Sequence, residues 1–244
     1  MAKGPFHFKT FTVGQDGAAM KVGTDGIVLG CWCPVQDARR VMDIGAGNGY
    51  VGIMLLQRMI PGAELFGVEL EPDAALQCKE NYLTQPFPAQ AKAWQGAIQS
   101  ATDTHPEWKC TFDLIVSNPP FFKSKPKSQN AARNLARHDD TLPMGDLVKA
   151  AASLLKEGGR LCTIWPIDRL QEWNGWASGF GFGIKQTTHI KTMQHLPAKR
   201  VITEWVKTHD KVSTQYGELT LEGKATLDFT EAYLDIVRPY LKGT

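Results

Sequence analysis

Short apolar runs alternate with longer segments of helical periodicity through the first two thirds of the chain. The short runs carry apolar residues consecutively, as buried strands do, and the longer segments place them three and four positions apart. This pattern predicts five strands, at residues 39–44, 64–70, 91–95, 112–117 and 160–165. It also predicts helices at residues 27–33, 50–59 and 146–155 and one opening at Pro72, with loops at 84–88 and 100–108.

Strands that alternate with helices favour a parallel sheet covered by helices on both faces, because a parallel crossover needs a connecting helix. The last third differs: the pattern predicts two strands, at residues 183–193 and 200–208, joined through Pro197, and a helix at 229–241. The predicted fold is therefore α/β, a mostly parallel doubly wound sheet with an antiparallel C-terminal edge hairpin. We expect one domain, 1–244, with an N-terminal cap segment (1–37), a core (38–208) and a C-terminal strand and helix extension (209–244).

Composition narrows the class of protein. The 244 residues include 27 Lys or Arg and 25 Asp or Glu, a balance that excludes a histone-like or acidic-tail protein. The five cysteines are irregularly spaced, and Cys31 and Cys33 are too close together for a CxxC site, which indicates free thiols in a reducing compartment. With no apolar run of signal-peptide or membrane-span length, we expect a cytoplasmic protein that uses no membrane and no metal.

A glycine cluster follows the first strand, where open α/β sheets bind ligands. The sequence Asp43-Ile-Gly45-Ala-Gly47-Asn-Gly departs from the dinucleotide fingerprint GxGxxG, because the third glycine of that fingerprint would fall on Tyr50. Glu69 ends the second strand, and a carboxylate there can accept hydrogen bonds from two ribose hydroxyls. The arrangement favours a nucleoside ligand without pyrophosphate, and Asp43 would suit an ammonium group on it.

The fourth strand runs into Asn118-Pro119-Pro120-Phe121. Two prolines restrict the backbone, so the turn is rigid. The Asn118 amide oxygen and the Pro119 carbonyl could each accept one N–H of an aromatic amine, which would direct the nitrogen lone pair at a methyl donor. Phe121 could stack on the target base.

Two further segments are candidates for binding. Five basic residues follow the turn with no acid among them, and they could track the phosphates of a nucleic acid: Lys123, Lys125, Lys127, Arg133 and Arg137. Upstream, Lys21 and Thr24 belong to a segment that could cover the cofactor, although capping of the helix that follows by Thr24 or Asp25 is an equally good explanation.

Together these motifs resemble the bacterial tRNA adenine-N6 methyltransferases that modify the adenine beside the anticodon of a valine tRNA. The resemblance runs from Phe8 to Tyr240 and includes KVGTDG, DIGAGNGYVGIMLLQR, NPPFF and RHDDTLPMGDLVKAAASLLKEGGR. It implies a Rossmann-like methyltransferase fold, S-adenosyl-L-methionine held by Asp43, Gly45, Gly47 and Glu69, and adenine held by residues 118–121. It implies a tRNA substrate bound at its anticodon loop and indicates no obligate protein partner. The sequence departs from the wider class after the third strand, where Gln95-Gly-Ala replaces an acid that would bind the cofactor adenine.

Other functions fit parts of the sequence. Enzymes that methylate the exocyclic amine of guanine in ribosomal RNA, or a glutamine amide of a release factor, also use NPP-aromatic turns. Many of the former carry a duplicated domain, and the latter usually carry an extra N-terminal helical domain that about 40 residues before Asp43 cannot supply. A non-catalytic RNA-binding module with this fold is a third alternative.

Overall fold

In a computed structural model, which describes residues 4–119 and 142–243, an eight-stranded sheet dominates the architecture. Its strand order is β10-β8-β9-β7-β6-β3-β4-β5, and a small antiparallel pair, β1 with β2, stands apart from it. The strands are β1 (Phe6–His7), β2 (Thr12–Val13), β3 (Arg40–Ile44), β4 (Glu64–Glu69), β5 (Gln90–Gln95), β6 (Phe112–Ser117), β7 (Leu155–Pro166), β8 (Phe182–Met193), β9 (Arg200–Lys207) and β10 (Gln215–Glu222).

Seven α-helices accompany the strands in the described part of the chain. They are α1 (Thr24–Trp32), α2 (Tyr50–Leu56), α3 (Pro72–Leu83), α4 (Ala101–Thr104), α5 (Met144–Leu154), α6 (Leu170–Gly179) and α7 (Glu231–Val237). None of the described helices is long and apolar enough to cross a membrane. All five cysteines are free thiols, as predicted.

The sheet buries a separate core on each face. Along β3, Val41 packs into one core and Met42 and Ile44 into the other, as the alternation of side chains along a strand requires. Helices α1, α2, α3 and α7 cover the first core, and α4, α5 and α6 cover the second. The doubly wound arrangement predicted from the strand–helix alternation is therefore confirmed.

Strands β3 to β7 run parallel through β5-β4-β3-β6-β7, and β9 then pairs antiparallel with both β7 and β8. This confirms the predicted mostly parallel sheet with its antiparallel hairpin. Strand β10, from the predicted C-terminal extension, adds parallel to β8 outside the hairpin. The parallel strands place their carboxyl ends at one edge of the sheet, where the candidate site lies.

Three local predictions were wrong. Residues 100–108 are not a plain loop but contain α4 and short 3-10 turns, because burial of Ala101 and Trp108 ties the segment to the second core. Neither Thr24 nor Asp25 caps α1, since Gly23 is the N-cap and no side chain satisfies the first turn. Strand β7 starts at Leu155, ahead of the glycine pair expected to close α5, because Leu155 pairs with Phe112 on β6.

Candidate functional site

The carboxyl ends of the neighbouring strands β6, β3, β4 and β5 build the candidate site. Ile44 pairs in register with both Val68 and Ser117, and the Ser117 hydroxyl donates to the Ile44 carbonyl over 2.8 Å. The residues that follow these strands, Gly45 and Asn118, therefore leave the sheet side by side. Sequence positions more than 70 residues apart meet here because parallel pairing fixes where each strand ends.

The glycine cluster forms a tight turn between β3 and α2. Gly45 and Gly47 have φ values of +71° and +57°, in the left-handed region that glycine tolerates without strain. An added Cβ at either position would meet no heavy atom within 4 Å in the described structure, so the backbone conformation requires glycine and the surface above the turn stays open. The amides of Gly45 and Ala46 donate to the Val68 carbonyl, which ties the turn to β4.

Glu69, the last residue of β4, lies against the glycine turn. One carboxylate oxygen accepts the Gly47 N–H at 2.8 Å, and the other accepts the Glu71 N–H at 3.0 Å. Each carboxylate oxygen can accept more than one hydrogen bond, so the half-buried group keeps acceptor capacity toward the cleft. Its two backbone partners fix the position of the carboxylate beside the glycine turn.

Asp43 is the buried acid of the site, with 2% of its surface exposed. Burial raises its pKa to about 7; the Gly52 N–H, which it accepts at 3.0 Å, opposes this shift, and the nearby Glu69 charge adds to it. A cationic group placed above the glycine turn would favour the charged form of Asp43.

These residues line a first cleft of about 1080 Å³, measured to its open mouth. Its walls include Asp43, the glycine turn, Glu69 with Leu70 and Glu71, residues 96–99, Asn118, and the N-terminal segment Ala18–Lys21. The two carboxylates and the exposed backbone of the turn give this cleft the polar groups that a nucleoside ligand needs.

Hydrogen bonds fold the N-terminal segment over this cleft. The Asn81 amide accepts the Gly14 N–H and donates to the carbonyls of Gly14 and Asn48, which joins the segment to the glycine turn. The Lys21 ammonium lines the cleft but donates to the carbonyls of Gln15 and Ala18. In this structure Lys21 therefore braces the segment.

A second cleft adjoins the first. It is lined by Gly23, Thr24, Asp25, Gly26, Pro166 and Arg200, and it shares Met20, Lys21, Tyr50 and Asn118 with the first cleft. Thr24, a predicted cofactor contact, lines the second cleft and not the first. Arg200 Nε pairs with the Asp25 carboxylate at 2.9 Å. The four shared residues form the wall between the two clefts.

Asn118 holds the decisive position in that wall. Its side-chain oxygen Oδ1 is buried and has no hydrogen-bond partner among residues 4–119 and 142–243. A buried acceptor without a partner is costly, so a ligand N–H that reached it would gain a strong interaction. Asn118 is thus at the boundary of the clefts, whereas Pro119, the next residue, is buried and lines neither of them. Two sets of predicted residues lie outside the described part of the chain: Pro120 with Phe121, and the basic residues Lys123, Lys125, Lys127, Arg133 and Arg137.

Comparison with known proteins identifies the family. The family model of the methyltransferase small domain matches residues 27–169. A tRNA1(Val) (adenine(37)-N6)-methyltransferase from Trichodesmium erythraeum is 35% identical over 99% of this chain and 100% of its own length. The relative of the same name from Porphyromonas gingivalis is 34% identical over 96% of this chain and 94% of its own.

The chain belongs to the methyltransferase small domain family. Among solved structures, a predicted O-methyltransferase from Agrobacterium tumefaciens superposes with a TM-score of 0.70 at 20% identity, over 88% of this chain and 96% of its own. A 16S rRNA N2 methyltransferase from T. thermophilus, solved with AdoMet and guanosine, gives 0.54 at 20% identity over 82% of this chain and 47% of its own. These likenesses confirm the fold, and the predicted family and methyltransferase activity with S-adenosyl-L-methionine are confirmed as well.

Three parts of the site were missed by reasoning from the sequence. Residues 96–99 line the first cleft although Gln95 does not, since the Gln95 amide donates to the Leu70 carbonyl at 3.2 Å. Because these residues directly follow β5, which lies beside β4 in the sheet, their position in the sequence could have predicted that they line the cleft. Tyr50 was interpreted only as a helix position. The second cleft itself was not predicted, although Lys21, Thr24 and Asn118 were candidates, because its other walls come from β7 and β9, which are distant in the sequence.

Proposed function

We propose that this methyltransferase transfers a methyl group from S-adenosyl-L-methionine to the exocyclic N6 amine of the adenine beside the anticodon of a valine tRNA. The observation that carries the proposal is the buried, unpartnered Asn118 Oδ1 at the boundary of two clefts, one suited to a nucleoside cofactor and one open beside it. Relatives that match nearly the whole chain bear the name of that reaction.

The residues of the first cleft fit S-adenosyl-L-methionine. Glu69 offers acceptors to the ribose hydroxyls, and Asp43 offers a buried negative charge to the cationic end of the molecule. Residues 96–99 would contact the cofactor adenine through their backbone and the Ile98 side chain. These contacts would replace the one made by the acid that this sequence lacks after β5. When bound, this cofactor supplies a methyl group activated by a positively charged sulfur.

The second cleft would take the target adenine. Asn118 Oδ1 would accept one N–H of the amine. The Pro119 carbonyl, whose role rests on the sequence, would accept the other, so that the nitrogen lone pair is turned toward the first cleft. The two acceptors also stabilise the positive charge that grows on nitrogen. A strong base is unnecessary, because the methylated nitrogen becomes acidic and loses its proton to water.

Binding of the RNA would extend beyond the cleft. Phe121 would stack on the adenine, and Lys123, Lys125, Lys127, Arg133 and Arg137 would contact phosphates of the anticodon stem and loop. These two assignments rest on the sequence. The reaction would take place in the cytoplasm, where the tRNA pool is found.

The test uses purified protein, labelled S-adenosyl-L-methionine and unmodified valine tRNA, followed by nucleoside mass spectrometry. We expect N6-methyladenosine at the position beside the anticodon, and no label when that adenine is replaced by guanine. Label in ribosomal RNA or in a release factor, with none in the tRNA, would replace the proposed substrate with one of the alternatives. Absence of transfer together with intact RNA binding would indicate a non-catalytic module.

A further inference from the structure

The orientation of the Asn118 amide decides whether the site accepts or repels an amine. The same side chain presents an oxygen acceptor on one side and an NH2 donor on the other, and rotation by half a turn exchanges them. Only the oxygen can accept an adenine N–H. Some neighbouring group must therefore hold the NH2 away from the second cleft.

Tyr50 is the neighbour in contact with this amide. Tyr50 and Asn118 stand together in the wall of both clefts, with the Tyr50 hydroxyl in hydrogen-bonding reach of the Asn118 side chain. The same hydroxyl donates to the Gly23 carbonyl at 3.4 Å. Since the hydroxyl proton points to Gly23 and Asn118 Oδ1 has no partner in the described structure, the Asn118 NH2 is the donor to the Tyr50 oxygen. Burial raises the pKa of Tyr50 to about 12, so the hydroxyl keeps its proton at neutral pH.

We infer that Tyr50 is a positioning residue that fixes the Asn118 amide with its oxygen toward the target amine. This inference rests on the proposed function. Tyr50 is the first residue of α2, directly after the glycine turn, and it is 8% exposed. Its side chain thus extends from the glycine turn to the Gly23 carbonyl, just before α1, and it lines both clefts.

Helix α1 leaves space for the Tyr50 hydroxyl because it has a glycine at the point of contact. Gly26 lies in its first turn, and a Cβ built there would stand 1.8 Å from the Tyr50 hydroxyl oxygen and 2.5 Å from the ring carbon that bears it. Glycine inside a helix costs about 1 kcal/mol relative to alanine. The close approach of Tyr50 explains why glycine is nevertheless present at this position of the KVGTDG motif.

The first experiment removes only the hydroxyl. In single-turnover methyl transfer to valine tRNA, Tyr50→Phe should lower the rate about tenfold, the size expected when one hydrogen bond and the orientation it provides are removed. The affinities for S-adenosyl-L-methionine and for tRNA should stay within about twofold of wild type. Tyr240→Phe is the matched control, because that buried hydroxyl donates to the Met54 carbonyl on α2, away from both clefts. It should react at the wild-type rate.

A double-mutant cycle separates positioning from general support. If Tyr50 acts through Asn118, Tyr50→Phe should cause no further loss in an Asn118→Ala background. If Tyr50→Phe still lowers the rate tenfold in the Asn118→Ala background, the inference is overturned. It is also overturned if Tyr50→Phe alone reacts at the wild-type rate while Asn118→Ala alone reacts slowly. If Asn118→Ala itself reacts at the wild-type rate, the mechanism of the proposed function fails together with this inference.

A spectroscopic measurement tests the contact without turnover. The side-chain NH2 pair of Asn118, assigned by its loss in Asn118→Ala, should shift in the 15N–1H spectrum of Tyr50→Phe and stay in place in Tyr240→Phe. Gly26→Ala, which displaces the hydroxyl while keeping it, should shift the same pair. An unmoved pair in folded Tyr50→Phe would contradict the contact.

Discussion

The two clefts that meet at Asn118 are built in different ways. The first is formed by consecutive turns at the ends of β3, β4 and β5. Its acids, Asp43 and Glu69, accept backbone N–H groups from the glycine turn, from the start of α2 and from the residues that follow β4. The second is assembled from α1, the end of β7 and the start of β9, and its ion pair joins Asp25 to Arg200. A local motif can specify the first cleft, whereas only the complete fold creates the second.

This difference suggests a division of tasks. The first cleft carries the two acids and would hold the cofactor, and the second would receive the RNA base. Asn118 and Tyr50 line both clefts, so in the proposed function they would relate the position of the substrate to that of the methyl donor. Substitutions in one cleft should then affect one ligand, and substitutions in the shared wall should affect the reaction itself.

Substitution of Asn118, in the wall shared by the two clefts, should have the largest effect on the reaction rate. Asn118→Ala should slow methyl transfer about 100- to 1000-fold, the range found when one preorganised hydrogen-bonding group is removed from an active site. Cofactor affinity, measured by calorimetry, should change little because Glu69 and Asp43 remain. A variant with a normal rate, or one that loses cofactor binding instead, would contradict the separation of the two clefts.

Glu69→Ala should do the reverse. Removing hydrogen bonds to a charged group costs about 1.5–3 kcal/mol, which predicts a dissociation constant for S-adenosyl-L-methionine raised about 10- to 100-fold. Turnover at saturating cofactor should be much less affected. Glu80→Ala is a suitable control, since that exposed carboxylate on α3 lies outside both clefts. Equal losses in the two variants would rule out a specific role for Glu69.

Replacing Lys123, Lys125 and Lys127 by alanine should weaken tRNA binding and leave cofactor binding unchanged. For every phosphate that these lysines neutralise, the substitution should reduce the slope of log affinity against log salt by about 0.7–0.9. The measurement is a salt titration of tRNA binding, with single-turnover chemistry at saturating RNA as the control. Unchanged affinity and slope would remove the basic segment from the RNA-binding surface.

The last prediction concerns the pH dependence of stability and does not involve either ligand. Because the pKa of Asp43 is raised from an ordinary value near 4 to about 7, the unfolded chain binds fewer protons than the folded one in this window. The contribution of Asp43 to the free energy of unfolding of the cofactor-free protein should therefore fall as pH rises from about 4 to about 7. Urea denaturation at pH 5 and pH 8 should show Asp43→Asn gaining stability relative to wild type at the higher pH.

Asp113→Asn provides the contrast for that experiment. The pKa of Asp113 is lowered by Lys156 and by the N–H groups of Arg39 and Arg40, against the opposing effect of burial, so its charge does not change between pH 5 and pH 8. Its effect on stability should be the same at both pH values. A pH-independent difference for Asp43→Asn as well would show that Asp43 is ionised throughout.

The features that could be predicted from the sequence are those that local motifs specify, as in the first cleft. Proline at the start of α3, the glycine turn and the strand ends are local signals, and the structure has them where the sequence predicted. The start of β7 at Leu155 and the helical turns of residues 100–108 depend on pairing with β6 and on burial against the second core. Such tertiary contacts override local preference, which also explains why Tyr50 and Arg200 escaped notice as site residues.

The most direct test of this account is a crystal structure of the protein with S-adenosyl-L-methionine bound. The account predicts the sulfonium methyl group at the wall shared by the two clefts, facing the second cleft beside Asn118 Oδ1, with the ribose on Glu69. A methyl group that faced the closed side of the glycine turn, beyond reach of any base placed against Asn118, would contradict it.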